Sequence, residues 1–214
     1  MSFDAAKTLL LIIDVQNDFC PGGTLAVEGA DSIIQPINKL ALSLAEKGGR
    51  IAATQDWHPA GHISFASSHK DCAAGEMIDT SLVKGQVLWP CHCVQGTSGA
   101  AFHKDLALEK VSMIIRKGFR KELDSYSAFF ENDRQTPTGL EGWIRSLGIE
   151  TVIMSGLATD YCVFFSAMDC KKLGFNTIVA SDAVRGVGIP EGSVEAAVTS
   201  MKSSGIEFIS GNYV

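Results

Sequence analysis

The chain is poor in basic residues: its 214 positions hold 18 lysines and arginines against 24 aspartates and glutamates, a formal net charge of −6. Without a cluster of Lys or Arg it lacks the positive face that a phosphate backbone requires, so nucleic acid is excluded as a partner and a small-molecule substrate is expected. Long apolar runs are also absent. The N-terminal "MSFDAAK" carries an acid early and leads into only six apolar or Thr residues before Asp14, which fits neither a signal peptide nor a membrane span. A cytoplasmic location with no membrane partner is therefore expected. There is no internal repeat, low-complexity tract, linker or CxxC pair. The six cysteines (Cys20, Cys72, Cys91, Cys93, Cys162 and Cys170) should be reduced in that compartment, which leaves packing, metal binding or catalysis as their roles.

What is present is a hydrophobic content of 46%, enough for one sizeable core and a single domain over 1–214. Six short apolar runs read as strands: "TLLLIID" (8–14), "RIAATQD" (50–56), "VSMIIRK" (111–117), "ETVIMSG" (150–156), "NTIVASD" (176–182) and "GIEFIS" (205–210). They are continuous rather than alternating, as strands covered on both faces are. Helical patterns lie between most of them. Residues Ser32 to Lys47 place Ile33, Ile34, Ile37, Leu40, Ala41 and Leu44 on one face, and Gly48-Gly49 ends that helix. Pro36 would break a hydrogen bond in its interior, so the regular helix is expected from about Gln35. Further helices are expected near Leu140–Leu147, Thr159–Leu173 and Glu191–Ser203. Strands alternating with helices imply an α/β fold, a three-layer α/β/α arrangement around a six-stranded, mostly parallel sheet. The segment from Asp56 to Lys110 breaks the rhythm. It holds all five histidines (58, 62, 69, 92 and 103) and reads as a site-building loop insertion.

In an open parallel sheet the ligand site lies at the carboxyl ends of the strands, near the point where strand order reverses. The first three runs end on Asp14, Asp56 and Lys117, and Cys162 follows the fourth by one short turn. A lone aspartate after a strand is commonly a helix cap, and Asp182 is expected to be one. Four competent side chains converging on one edge are harder to explain that way. A thiol needs a base to take its proton or a positive field to hold its thiolate. Asp14 is the candidate base; Lys117 and the start of the Thr159–Leu173 helix are candidate sources of the field. Backbone N–H groups around Ala158 and Cys162 point where an oxyanion would form. These parts describe acyl transfer through a thioester. Cys170, two turns deeper in the same helix, reads as core. Asp56 and His58 offer two metal ligands on one extended segment, and His92 could complete the set; oxygen and imidazole donors suit zinc, iron or manganese. The "CHC" at 91–93 does not read as a thiolate zinc site, because neighbouring side chains on an extended segment diverge.

The blocks "LLIIDVQNDFCPGGTLAV", "TQDWHPAGHISFASSH", "LWPCHCVQGTSGAAFH", "KGFRKELDSYSAFF" and "SGLATDYCV", in that order, resemble the nicotinamidases (nicotinamide deamidases, active also on pyrazinamide) of the isochorismatase-like cysteine hydrolase superfamily. The resemblance implies an isochorismatase-like fold and deamidation of nicotinamide to nicotinic acid and ammonia in NAD salvage. It implies a catalytic triad of Asp14, Lys117 and Cys162, and one divalent metal, Zn2+ or else Fe2+ or Mn2+, on Asp56, His58 and His92, with water or Ser64 filling the remaining positions. His62 ligates in some relatives and not in those with the "HISFASSH" style. The resemblance also implies a cis peptide at Leu157–Ala158 and an aromatic pocket of Phe19, Trp89 and Tyr161 with Tyr126 nearby. The stretch from 70 to 87 is longer than in short bacterial relatives and leaves the pocket's lid unassigned. Rival readings are another amidase or carbamoyl hydrolase of the superfamily, which needs no pyridine-binding metal, and a non-catalytic ligand-binding or thiol-redox α/β protein. A homo-oligomer is left open.

Overall fold

A computed structural model describes residues 3–211. In chain order its strands are β1 (Thr8–Ile13), β2 (Arg50–Asp56), β3 (Met77–Ile78), β4 (Gln86–Val87), β5 (Val111–Lys117), β6 (Thr151–Leu157), β7 (Asn176–Arg185) and β8 (Glu207–Ile209). The helices are α1 (Ile34–Glu46), α2 (Leu140–Ser146), α3 (Phe164–Lys172) and α4 (Ser193–Ser203). Six strands form one sheet in the order β5-β2-β1-β6-β7-β8, and every neighbouring pair in it is parallel. The chain builds outward from β1 through β2 to β5, then restarts on the other side with β6, β7 and β8. The order therefore reverses between β1 and β6, and the site expected from that topology lies there.

Side chains of β1 alternate between two cores. Leu10 and Ile12 pack with Ile33, Ile37, Leu40 and Leu44 on the α1 side. Leu9, Leu11 and Ile13 pack with Leu140, Ile144, Ala167 and Met201 on the side of α2, α3 and α4. These are the three layers that the strand–helix rhythm implied. Pro36 proves harmless: a short 3-10 turn over Ala30–Ile33 leads into α1, so the proline falls in the first helical turn, where its missing N–H would have had no partner. At the other end the Gly48 and Gly49 N–H groups return to the carbonyls of Ala45 and Leu44 at 3.0 and 2.9 Å, with Gly48 at φ +87°.

Three expectations need correction. The edge strand β5 does alternate, with Ser112, Ile114 and Arg116 turned outward, because no helix covers that face. The fifth apolar run does not stop at Asp182 but continues as β7 to Arg185. Asp182 is accordingly no helix cap; its carboxylate accepts from the Gly211 N–H at 3.2 Å. A register shift opposite Met154 and Gly156 lets the strand run on. The third concerns the expected Thr159–Leu173 helix, which opens as a wider turn over Thr159–Val163 before α3. Within the 56–110 segment a two-stranded hairpin, β3 with β4, was not expected. Among the described residues, no helix is long and apolar enough to cross a membrane.

Leu44 is fully buried beneath α1, whereas Leu42 two residues earlier is 51% exposed. Leu44→Ala should cost about 2–5 kcal/mol of stability and Leu42→Ala less than about 0.5 kcal/mol, read as midpoints in urea denaturation.

Candidate active site

Parallel pairing fixes the first part of the site. Asp56 at the end of β2 stands opposite Lys117 at the end of β5, and Asp14 follows β1 directly. Asp14 takes a left-handed turn, φ +49°. Its N–H donates to the Thr54 hydroxyl at 3.2 Å, and that hydroxyl donates back to Asp14 Oδ1 at 2.7 Å. Gln16, fully buried, accepts from the Asp56 N–H at 2.8 Å and donates to the carbonyls of Asp56 and Ala100 at 2.9 and 2.8 Å. One side chain thus holds the end of β2 at both its backbone groups.

Lys117 sits at the centre with no solvent exposure. Its ammonium lies 2.8 Å from Asp14 Oδ2 and pairs with Asp56 Oδ1. It also donates to the Ser125 carbonyl at 3.0 Å and to Cys162 Sγ at 3.3 Å. An unpaired ammonium could not be buried here; two carboxylates make it tenable. Burial works against its charge, but Asp14 and Asp56 outweigh that and hold its pKa well above the usual lysine range. Burial raises Asp14 to about 6, against the opposing pull of Lys117. Asp14 Oδ2 has no hydrogen bond among the described residues beyond that ion pair, so it has a lone pair to offer.

Cys162 lies in the turn after β6. The peptide bond between Leu157 and Ala158 is cis, and the Ala158 carbonyl accepts from both Tyr161 and Val163 N–H at 3.0 Å. The bond from Val163 spans five residues, which is the π-type widening that carries Cys162 inward. The thiolate-stabilising field expected from Lys117 and the helix start is outweighed: burial first, then Asp14 and Asp56, push the thiol well above its ordinary value despite Lys117. These influences favour the thiol over the thiolate, and the Asp14 carboxylate lies within 4.8 Å of the sulfur. Cys170 is fully buried in the core of the α3 side, as expected from its place in the helix.

Asp56, His58 and His92 are all buried, and their ligand atoms lie within 4.8 Å of one another. His58 Nδ1 bonds the Gly118 carbonyl at 2.9 Å and His92 Nδ1 the Pro90 carbonyl at 2.8 Å. A carbonyl can only accept, so both Nδ1 atoms carry the proton and both Nε2 lone pairs are free. These Nε2 atoms stand 3.6 and 3.9 Å from Asp56 Oδ2. Two imidazoles, each oriented by a backbone carbonyl, and one carboxylate paired with Lys117 suit a divalent metal, which would take both rings in the neutral form although, against burial, Asp56 raises the pKa of His58. Burial and the neighbouring His58 lower His92 to about 4, which favours its ligating form. His62 stacks on His58 with centroids 4.3 Å apart, and its nitrogens face the Ser64 hydroxyl at 2.7 Å and the Leu123 carbonyl at 3.4 Å. His62 and Ser64 are therefore engaged with each other. The "CHC" side chains diverge as expected: Cys93 is buried and Cys91 exposed, and the Cys93 N–H donates to Asp18 at 2.7 Å.

Cys162, Asp56, His58 and His92 open onto one cleft walled by Phe19, Trp89, Tyr126 and Tyr161. Trp89 and Tyr126 each meet Tyr161 edge-on, at 4.8 and 5.5 Å between centroids, and the Trp89 indole N–H donates to the Tyr126 hydroxyl at 3.1 Å. Leu25, Val187 and Asp124 also line it, and sequence reading passed over all three. For Asp124 a signal did exist: it is the only acid between the Lys117 strand end and the aromatic Tyr126 that lies within the "LDSYS" block, beside a residue already singled out.

A parallel α/β sheet with a buried Cys–Lys–Asp group at its switch point, beside a His–His–carboxylate cluster, defines the class as a cysteine hydrolase. The Isochorismatase domain family matches residues 8–212, and the chain belongs to that family. It is 48% identical over 212 residues to a nicotinamidase of Acinetobacter baylyi, covering 98% of this chain and 95% of that one. Among solved structures it resembles PnC1 from L. infantum in complex with nicotinate (34% identity, TM-score 0.84, 98% and 96% of the two chains). It also resembles the pyrazinamidase of Pyrococcus horikoshii in complex with zinc (35% identity, TM-score 0.78, 96% and 99%).

Gly118 has φ +62°, and a Cβ there would overlap the His58 ring. Gly118→Ala should therefore lower bound metal per chain, read by elemental analysis after zinc loading, while the far-UV circular dichroism of the fold is retained.

Proposed function

We propose that this chain is a metal-dependent amidohydrolase that deamidates nicotinamide, and its analogue pyrazinamide, to the acid and ammonia through a thioester on Cys162. The observation that carries the reading is one cleft lined by Cys162, by Asp56, His58 and His92, and by the rings of Phe19, Trp89, Tyr126 and Tyr161, with Lys117 and Asp14 buried behind the sulfur. Flat rings stacked edge-on favour a planar heteroaromatic substrate over a linear amide. A zinc ion on Asp56, His58 and His92 would supply a Lewis acid that anchors the ring nitrogen and polarises bound water.

The chain's own residues account for the chemistry. Asp14 takes the proton from Cys162 as the sulfur attacks the amide carbon, forming the C–S bond. Lys117 balances the charge on sulfur and holds the Asp14 carboxylate in line. The Ala158 and Cys162 N–H groups are the proposed donors to the oxyanion. Asp14 returns its proton to the departing nitrogen, the C–N bond breaks and ammonia leaves. Water, deprotonated by Asp14, then cleaves the thioester and releases the acid. The aromatic wall closes the site against bulk water. Six free cysteines suit the reducing cytoplasm in which we place this activity.

Cys162→Ala should cut ammonia release from nicotinamide by at least about a thousandfold, and Asp14→Asn by about a hundred- to ten-thousandfold. A near wild-type rate in purified Cys162→Ala protein overturns the nucleophile. Because Asp14 must be ionised to act and its pKa is about 6, kcat/KM should hold above that pH and fall as pH drops through it. Verified removal of the metal should abolish activity and zinc should restore it.

A further inference from the structure

Gln86 and Asp124 form the part of the cleft that the deamidation chemistry does not use. Asp124 is 2% exposed and lines the cleft. Its two oxygens are acceptors only: Oδ1 takes the Ser125 N–H at 2.8 Å and Oδ2 the Gln86 side-chain N–H at 2.9 Å, which is how an ionised carboxylate is satisfied. Gln86 is itself 2% exposed and belongs to β4, the second strand of the unexpected hairpin in the 70–87 stretch. It also donates to the Val87 carbonyl at 2.9 Å and accepts from Asn132 Nδ2 at 3.3 Å. Asn132 in turn accepts the Tyr126 N–H at 3.0 Å and donates its own N–H to the Asp124 carbonyl at 2.8 Å. The hairpin thus reaches 38 residues along the chain to fix one carboxylate and, through Asn132, the backbone of one aromatic wall.

The charge of the cleft explains why a third carboxylate is worth holding there. Asp14 and Asp56 pair with the one ammonium, Lys117, and Asp124 adds a third carboxylate within 4.8 Å of the His58 and His62 nitrogens; a divalent metal held by neutral histidines would bring the balance to zero. A neutral amide enters such a site without penalty, and the acid formed from it carries a charge that the site does not match. Without Asp124 the cleft would carry one net positive charge, which a carboxylate product would complement.

We propose that Asp124, positioned by Gln86 of the β3–β4 hairpin, is a specificity-determining carboxylate that disfavours the anionic acid product and sets the preference of the cleft for the neutral amide. This rests on the deamidase reading of the site. The 70–87 stretch then serves to hold a charge in place, in addition to any cover it provides.

The test is direct binding of nicotinate and nicotinamide to zinc-loaded protein in a Cys162→Ala background, where neither ligand turns over, with metal content measured for each variant. With Asp124 in place, the acid should bind no tighter than the amide. Asp124→Asn should shift the ratio of the two dissociation constants toward the acid on the order of tenfold, the effect of one charge removed at short range in a partly buried site. Gln86→Ala keeps the charge and loosens its support, so the ratio should move in the same direction as in Asp124→Asn but by less, about two- to threefold; a ratio unchanged in metal-loaded Gln86→Ala overturns the positioning role of Gln86. Nicotinate binding tenfold tighter than nicotinamide with Asp124 intact overturns the proposal, and needs no Asp124 or Gln86 variant to be seen. So does an unchanged ratio in metal-loaded Asp124→Asn. Ammonia release by the wild-type protein separates the two readings: if nicotinamide is hydrolysed and the ratio is flat, the charge assignment alone fails. If no amide is hydrolysed, the deamidase reading fails and the assignment with it.

Discussion

A single buried ammonium organises this molecule. Lys117 is fully enclosed, and a lysine in that position is stable only if the surrounding structure brings opposite charge to it. Two separate strand ends do so. Asp14 after β1 and Asp56 at the end of β2 supply the carboxylates, β5 supplies the lysine, and the turn after β6 places a sulfur against it. The parallel register sets all four at one depth. Each partner is in turn tuned by its surroundings: burial lifts Asp14 to about 6 against the pull of Lys117, and burial, helped by Asp14 and Asp56, raises the Cys162 thiol against the same lysine.

The metal-ligand cluster is built by a different logic. Its histidines come from irregular chain, and nothing in the sheet dictates their angles. Backbone carbonyls do that work, Gly118 for His58 and Pro90 for His92, and by occupying Nδ1 they leave the other nitrogen of each ring free. His58 and His92 are buried and their rings fixed although the chain around them is irregular. That is why the 56–110 stretch, long for a connection in a compact domain, can carry ligands as well as a helix could.

Much of this was legible in advance, for physical reasons. Apolar runs of six or seven residues alternating with amphipathic segments leave few topologies open, and in a parallel sheet the last residue of each strand arrives at the same edge. Asp14, Asp56, Lys117 and Cys162 are therefore grouped by the sequence alone, His58 joins Asp56 through the D-x-H spacing with His92 as a candidate third ligand, and the family resemblance implies the same set. What stayed hidden depends on contacts distant along the chain. The Gln86–Asp124 hydrogen bond has no local signature, nor does the cross-strand shift that carries β7 past Asp182. The outward alternation of β5 was visible in Ser112 and Arg116 but was overridden by the hydrophobic residues between them. Lys117 does pull the Cys162 thiol downward as its place on the neighbouring strand end implied, but the burial that outweighs it depends on packing from several elements and has no local signature.

Gln16 is a modest residue with an unusual position. Its side-chain amide accepts from the Asp56 N–H and donates to the Asp56 carbonyl, as a neighbouring peptide unit in a strand would. It prolongs the ladder between β1 and β2 past the point where the β1 backbone turns away at Asp14. The chain has, in effect, borrowed a peptide bond from a side chain so that one strand can leave while the other keeps its partner. A carboxylate at position 16 could satisfy only the accepting half, an ammonium only the donating half, and a hydroxyl could not span the gap. The two halves of the site, the carboxylate after β1 and the carboxylate at the end of β2, are hinged on a group that lines no part of the cleft, and the side-chain chemistry that can serve there is correspondingly narrow.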